Sequence, residues 1–324
     1  MTTISTLFSG GEGVGVGARQ AGLTHLWGVE YDDQIASVAR LNGFNTLTGN
    51  VMDRALMLSL PRPDVIHASP VCKNASNAKA DGEESPEDIA SADATCVYID
   101  HFRPDIFTLE NVYGYRTFTA FAHIMECLNR NGYRFDYWHL NAANFGVPQT
   151  RQRLILVARL HGKPRRPVAT HAEPSKLAPL FDERQPWIGW YKAIEDLIDT
   201  LPEMDFPPLI TEKIFNEDRD CELSVVSFLV DTQNTHGTFP TIRLSKEPAP
   251  VISEQTRTDS LRAFIYNDEI ELCKNIRLME CSLMRIQSFP DSYILPAKVK
   301  LACTVIGNAV PPLLYQRVIE ANQP

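Results

Sequence analysis

The chain has 324 residues, 44% of them apolar, and a formal net charge of −9 at pH 7. That length can bury a sizeable core and suits about two domains, and the apolar content is ordinary for a soluble globular protein. No stretch approaches the roughly 18 apolar residues of a membrane span, and Met1-Thr2-Thr3-Ile4 carries no basic segment ahead of an apolar run, so neither a membrane anchor nor a signal peptide is expected.

Over the first 160 residues short apolar runs alternate with helical patterns, the signature of βαβ units around a parallel sheet. Strands are predicted at residues 4–8, 25–30, 45–49, 65–68 and 106–110, and helices at 14–21, 33–41, 86–102 and 118–131. Residues 133–140 and 153–160 read as two late strands, joined through Gly146-Val147-Pro148 into an antiparallel pair. From about residue 162 prolines at 164, 167, 174, 179, 186, 202, 207 and 208 break the pattern. Residues 162–290 are therefore expected to form a second, smaller and irregular domain. Residues 1–161 with 291–324 form the first, and the apolar stretch 298–320 supplies its closing helix.

Open α/β sheets bind ligands at the carboxyl ends of their strands. Gly10, Glu30, Cys72 and Glu110 all fall there, on four different strands. Phe8-Ser9-Gly10-Gly11-Glu12-Gly13 is a glycine-rich strand-to-helix turn, where backbone can approach a nucleotide-type ligand and a helix N-terminus offers N–H donors. Glu30, twenty residues on, is placed to accept from ribose hydroxyls. Cys72 follows Pro70 at a strand end and opens a polar loop, unlike an inert core thiol. Glu110 ends an apolar strand, where it is either a poorly solvated acid that can donate when protonated or a structural acid paired with an arginine. The seven cysteines contain no Cys-x-x-Cys pair and no zinc spacing, so reduced thiols and no metal are expected. Charge is local: residues 149–192 carry nine Lys/Arg against three acids, a footprint for a polyanion in an acidic chain.

Four segments stand in a telling order: the glycine loop, Pro70-Val71-Cys72-Lys73-Asn74-Ala75-Ser76, Glu110-Asn111-Val112 and Gln149-Thr150-Arg151-Gln152-Arg153. Arg243-Leu244-Ser245 with residues 247–252, and Gly307-Asn308-Ala309-Val310-Pro311-Pro312, extend the series. Together they resemble the DNA cytosine-5 methyltransferase family. The resemblance covers residues 1–160 and 240–320. The intervening 162–240 matches nothing, as suits a variable target-recognition region.

The resemblance implies a class I S-adenosylmethionine-dependent methyltransferase fold, with a mixed, mostly parallel sheet and a smaller irregular recognition domain. It implies S-adenosylmethionine bound by Phe8, Gly10, Gly11, Gly13, Glu30, Tyr31, Asn50, Val51, Pro70, Asn308 and Val310. Cys72 would add to C6 of a flipped-out cytosine and Glu110 would hold N3 and the exocyclic amine. Arg153 would contact O2, and Arg151 would support the catalytic loop or a phosphate. Lys73, Ser76, Arg165, Arg166 and Arg243 are the expected contacts to double-stranded DNA. The protein would be a cytoplasmic monomer of a bacterium or its phage, acting in restriction-modification or stand-alone modification. Departures from the family pattern are Glu12 for glycine, Asn50 for aspartate, Val71 for proline and Ala75 for an aromatic residue. Of these, Glu12 is expected to cost some cofactor affinity by adding bulk and charge beside the donor. A tRNA substrate is the first alternative, though its branch carries Cys-Phe-Thr and no cysteine here precedes phenylalanine. A catalytically impaired DNA-binding relative is a second. A nicotinamide-dependent oxidoreductase explains the glycine loop and Glu30, but not Cys72, Glu110 and Arg153 together.

Overall fold

The computed structural model describes residues 1–72, 84–177, 182–204, 225–231, 241–253, 256, 261–267 and 272–323. Its centre is a seven-stranded sheet built from β1 (Thr3–Leu7), β2 (Thr24–Glu30), β3 (Thr46–Thr48), β4 (Val65–Ala68), β5 (Ile106–Asn111), β6 (Arg134–Asn141) and β7 (Gln152–Arg159). The order is β3-β2-β1-β4-β5-β7-β6. The first five strands run parallel, and β7 pairs antiparallel with both β5 and β6. β4 and β5 are buried along their whole length, as central strands covered on both faces must be. The order reverses at β1, whose neighbours are β2 and β4, so a crevice opens above the carboxyl ends of β1 and β4.

Helices α1 (Gly13–Gln20), α2 (Asp33–Leu41), α3 (Arg54–Leu58), α4 (Pro86–Phe102) and α5 (Thr119–Arg130) fill the connections. Their starts follow local chemistry: Asp32 accepts from Gln34 and Ile35 N–H, and Ser85 forms a capping box with Asp88 ahead of Pro86. The short α3 was not expected, although Asp53 caps it in the same way.

Within 162–290 the described residues include more order than the proline pattern implied. β8 (His171–Ala172) pairs with β9 (Gln185–Pro186), and α6 (Trp190–Ile194) follows. A four-stranded antiparallel sheet, β11-β10-β12-β13, is formed by β10 (Val225–Asp231), β11 (Thr241–Leu244), β12 (Leu261–Asn267) and β13 (Leu272–Arg277). Leu261, Ala263 and Ile265 alternate inward on β12. They join Trp190, Ile194, Ile252 and Ile276 in an apolar cluster that reaches Val16, Val38 and Phe44. α7 (Glu280–Ile286) leads back to the large sheet.

The single closing helix expected over 298–320 is instead two, α8 (Val299–Asn308) and α9 (Pro312–Glu320). Pro311 lacks an N–H and sits at φ −56°, ψ 122°, so α8 cannot continue through it and α9 starts afresh on Pro312. The break lays Asn308, Ala309 and Val310 against the crevice.

Candidate active site

A cavity of about 1590 Å³ occupies the crevice. On one side lies the loop after β1. Phe8 and Glu12 adopt left-handed backbone conformations there, at φ 54° and 62°, so the chain turns sharply before α1. Gly11 is required by a close approach: a Cβ would lie 2.4 Å from Val305 Cγ1 and 2.8 Å from Tyr293 Oη. Tyr293 Oη donates to the Gly11 carbonyl at 2.6 Å. Glu30 closes the loop, its Oε2 accepting from Gly10 N–H at 2.8 Å and its Oε1 from Asp32 N–H at 2.9 Å. A carboxylate has about four lone-pair sites, so Glu30 can still accept from a ligand hydroxyl.

Glu12 does not meet the cavity. Its side chain is fully buried, and Oε1 accepts from Thr6 Oγ1 at 2.7 Å and Thr46 Oγ1 at 3.1 Å and lies 3.1 Å from His25 Nε2. These partners sit on β1, β3 and β2, so one carboxylate ties the loop to three strands. A Cβ on Gly28 would come within 2.1 Å of that oxygen, so the glycine at 28 makes room for the acid at 12. The expected crowding of the donor by Glu12 is therefore replaced by a brace beneath the loop.

On the other side are the ends of β4 and β5. Ser69, Pro70, Val71 and Cys72 line the cavity, with Cys72 half-buried. Asn111 Nδ2 donates to the Pro70 carbonyl at 3.0 Å, which fixes the approach to Cys72. Glu110 is 7% exposed and is held through both oxygens: Arg153 Nε lies 2.9 Å from Oε1, and Ser69 Oγ donates to Oε2 at 3.4 Å. Of the two readings of Glu110, the pairing with an arginine is thus present, and the arginine is itself a candidate site residue. Burial pulls the Arg153 guanidinium below its ordinary value, and Glu110 opposes that shift. Behind Ser69, His67 is buried between Ser69 Oγ and Thr108 Oγ1, each at 2.9 Å, and burial holds its pKa down to about 3.

Arg151 has a different occupation from the one expected. Nη1 donates to the Ile252 carbonyl at 2.7 Å and Nη2 to the Gly307 carbonyl at 3.0 Å. Gln149 bonds to Gln287 and accepts from Ile252 N–H, so this segment clamps residues 249–252 and 306–309 behind the cavity.

Phe8, Gly10, Gly11, Gly13, Glu30, Pro70, Asn308, Val310 and Arg243 also line the cavity. Tyr31, Asn50 and Val51 do not: Tyr31 is 78% exposed, Asn50 Oδ1 is turned onto Met52 N–H, and Val51 is buried in the core. Lys73 and Ser76 lie outside the described residues. Arg165 and Arg166 are exposed but off the cavity wall, because the Arg165 backbone is pinned at N–H and carbonyl by Asn322. The cationic lining comes from Arg116, Lys176 and Arg184 besides Arg151, Arg153 and Arg243, against the carboxylates Glu30, Glu110 and Glu173. Sequence reasoning missed Arg116. It lies 4.1 Å above the Tyr113 ring, which stacks on His139 at 3.7 Å and 14°. The signal available was its position six residues after Glu110, just beyond a strand end.

The match to known proteins agrees with this geometry. The model of C-5 cytosine-specific DNA methylases matches residues 1–323. The chain belongs to this family of enzymes. It is 25% identical over 349 residues to the type II methyltransferase M1.HphI of Haemophilus parahaemolyticus, covering 98% of this chain and 86% of that protein. It is 27% identical to M.AplI of Arthrospira platensis, covering 97% and 84%. Two solved structures share the fold. A DNA modification methyltransferase encoded within an E. coli prophage aligns with a TM-score of 0.62 at 16% identity, covering 99% and 98%. DNMT2 of Spodoptera frugiperda aligns with 0.60 at 16%, covering 99% of both chains. The sheet of this methylase is thus the class I methyltransferase sheet, and the family implies S-adenosylmethionine as methyl donor. The residues present suit that group: a loop with no room for a Cβ at Gly11 or Gly13, a carboxylate at the end of β2 with accepting capacity left, and a cavity of adequate size. Among the described residues no group of three or more His, Cys, Asp or Glu could hold a metal ion, and no helix is long and apolar enough to cross a membrane.

Proposed function

We propose that this methylase transfers a methyl group to C5 of a cytosine flipped out of double-stranded DNA, through a covalent bond between Cys72 and C6. The observation that carries the reading is the joining of Cys72 and the Glu110–Arg153 pair on one wall of a cavity whose other wall is the glycine loop with Glu30. S-adenosylmethionine, when bound, supplies the methyl group.

Cytosine C5 is a poor nucleophile until C6 is attacked, so the site needs a soft nucleophile at the ring edge. The Cys72 thiolate adds to C6, which moves electron density to C5. C5 then takes the methyl group, the C5 proton leaves to a base, and the thiolate departs from C6 to restore the ring. Glu110 holds N3 and the exocyclic amine, and Arg153 presents its guanidinium toward O2. Their ion pair sets both planar groups in one orientation before the base arrives. The ring must leave the duplex because stacking covers the faces of C5 and C6. Recognition of flanking bases is assigned to residues 162–290, and catalysis to 1–161 with 291–324. Lys176, Arg184 and Arg243 line the cavity on the recognition side, where they would neutralise phosphates.

Incubation with a duplex carrying 5-fluorocytosine tests the reading, because fluorine at C5 cannot leave as a proton and the adduct persists. A stable complex that disappears in Cys72→Ala supports it. Trapping on tRNA but not on duplex DNA would move the substrate to RNA. No adduct on either would make the chain a binding relative.

A further inference from the structure

Five side chains from β4, β5, the turn after β4 and α9 form one hydrogen-bonded line that ends on Glu110. Tyr315 Oη lies 3.1 Å from Thr108 Oγ1, and Thr108 Oγ1 lies 2.9 Å from His67 Nδ1. His67 Nε2 lies 2.9 Å from Ser69 Oγ, which reaches Glu110 Oε2 at 3.4 Å. His67, Thr108 and Tyr315 are each no more than 1% exposed, and the His67 ring stands edge-on to Tyr315 at 5.1 Å.

The direction of every donor in this line follows from its end. A carboxylate only accepts, and Ser69 has one hydroxyl proton, so donating to Glu110 leaves Ser69 an acceptor toward His67. His67 Nε2 must then carry the hydrogen. The imidazole is neutral in this buried site, with its pKa held down to about 3, so Nδ1 is an acceptor and Thr108 donates to it. Tyr315 in turn donates to Thr108. Reversing the His67 tautomer would turn Ser69 away from Glu110. The line does not pass protons along: burial pushes the Tyr315 phenol well above its ordinary value, so its far end keeps its hydrogen.

We propose that His67, protonated on Nε2, is a positioning residue for Glu110 that acts through Ser69. It holds one carboxyl oxygen toward the sheet while Arg153 holds the other, so the carboxyl plane is set before cytosine enters. Nothing in the glycine loop or at Cys72 performs this task, and the inference deepens the proposed reaction, on which it rests.

Two measurements test it. Nitrogen-15 shifts of His67 in the full-length protein should show Nε2 as the protonated ring nitrogen and Nδ1 as the unprotonated one. The opposite pattern, or a ring protonated on both nitrogens near neutral pH, would overturn the proposal without reference to activity. In steady-state kinetics His67→Phe should lower kcat about tenfold, the scale of one hydrogen bond to a charged group, with KM for DNA and for donor within about twofold. His67→Gln, which keeps a donor near the Nε2 position, should recover most of kcat. A folded His67→Phe with parental kcat, or a loss confined to KM, would make His67 a core residue only. Absence of methyl transfer by the parent protein would instead remove the proposed function, leaving the tautomer measurement intact.

Discussion

Cys72 and Glu12 show how narrowly a single side chain can be specified. At position 72 the proposed reaction needs a soft nucleophile that can also leave, which a hydroxyl at neutral pH is not. Cys72→Ser should abolish methyl transfer while calorimetric S-adenosylmethionine binding stays within about twofold, because the thiol acts on the base. If donor binding is lost with the thiol, Cys72 is structural. At position 12 a glycine substitution should harm the protein. Glu12→Gly removes the shared acceptor of Thr6, Thr46 and His25 and leaves their polar atoms orphaned in the core, each costing roughly 1–3 kcal/mol. Denaturant midpoint and donor affinity should both fall, and Glu12→Gln, which keeps an acceptor oxygen, should lose less. Tighter donor binding in Glu12→Gly would show instead that the acid crowds the ligand.

Among the elements, the turn after β5 offers a test of the proposed substrate path. Its short 3-10 helix, Tyr113–Thr117, carries Arg116 over Tyr113 and Tyr113 over His139 at the cavity wall. A guanidinium held flat by an aromatic ring is pre-oriented for a phosphate or an unstacked base. Arg116→Ala should weaken DNA binding and reduce the log–log salt slope by about one, with kcat little changed. The pair Arg165→Ala and Arg166→Ala should leave that slope unaltered, because both lie off the cavity and the Arg165 backbone is tied to Asn322. Salt titrations of the two variants distinguish these sites, and a slope change only in the second pair would return the DNA path to residues 165–166. The strand carrying this turn was legible as an apolar run ending in Glu110. The turn itself was not, since its stack depends on His139, brought alongside by β6. The sequence led instead to one closing helix and an irregular interval, although Pro311-Pro312 carried the signal for the break between α8 and α9 and the alternation of Leu261, Ala263 and Ile265 that for β12.

For the molecule as a whole, two properties follow from how the pieces are assembled. The chemical motifs lie outside residues 162–240, so replacing that interval with a relative's should change the methylated sequence and keep the reaction. A chimera that folds and still modifies the original site would place recognition elsewhere. Acid stability should be governed in part by His67. Its folded pKa, about 3, lies below the ordinary 6.5 because burial disfavours the cation. The unfolded chain thus binds the extra proton as pH falls below about 6.5, and this contribution to stability is lost progressively down to about 3. The full span amounts to on the order of 5 kcal/mol, so denaturant midpoints should drop between pH 7 and pH 4, less steeply in His67→Gln. Equal slopes in both proteins would mean other groups control the acid limb.

Local chemistry was enough to place Gly10, Glu30, Cys72 and Glu110 at strand ends, because an apolar run followed by a polar or glycine-rich turn is a feature of consecutive residues. The antiparallel pairing of β6 with β7 was legible for the same reason. The insertion of β7 between β5 and β6 was not, and it is this insertion that carries Arg153 to Glu110. Arg151 looked like a substrate or loop contact in the sequence, yet its partners stand 101 and 156 residues away, at Ile252 and Gly307. Glu12 looked like an intruder beside the donor until its left-handed backbone turned the carboxylate under the loop. Which residues are candidates for the chemistry is written in short segments. Where their side chains point is set by contacts between segments far apart in the chain, and those exist only once the strands have taken their order.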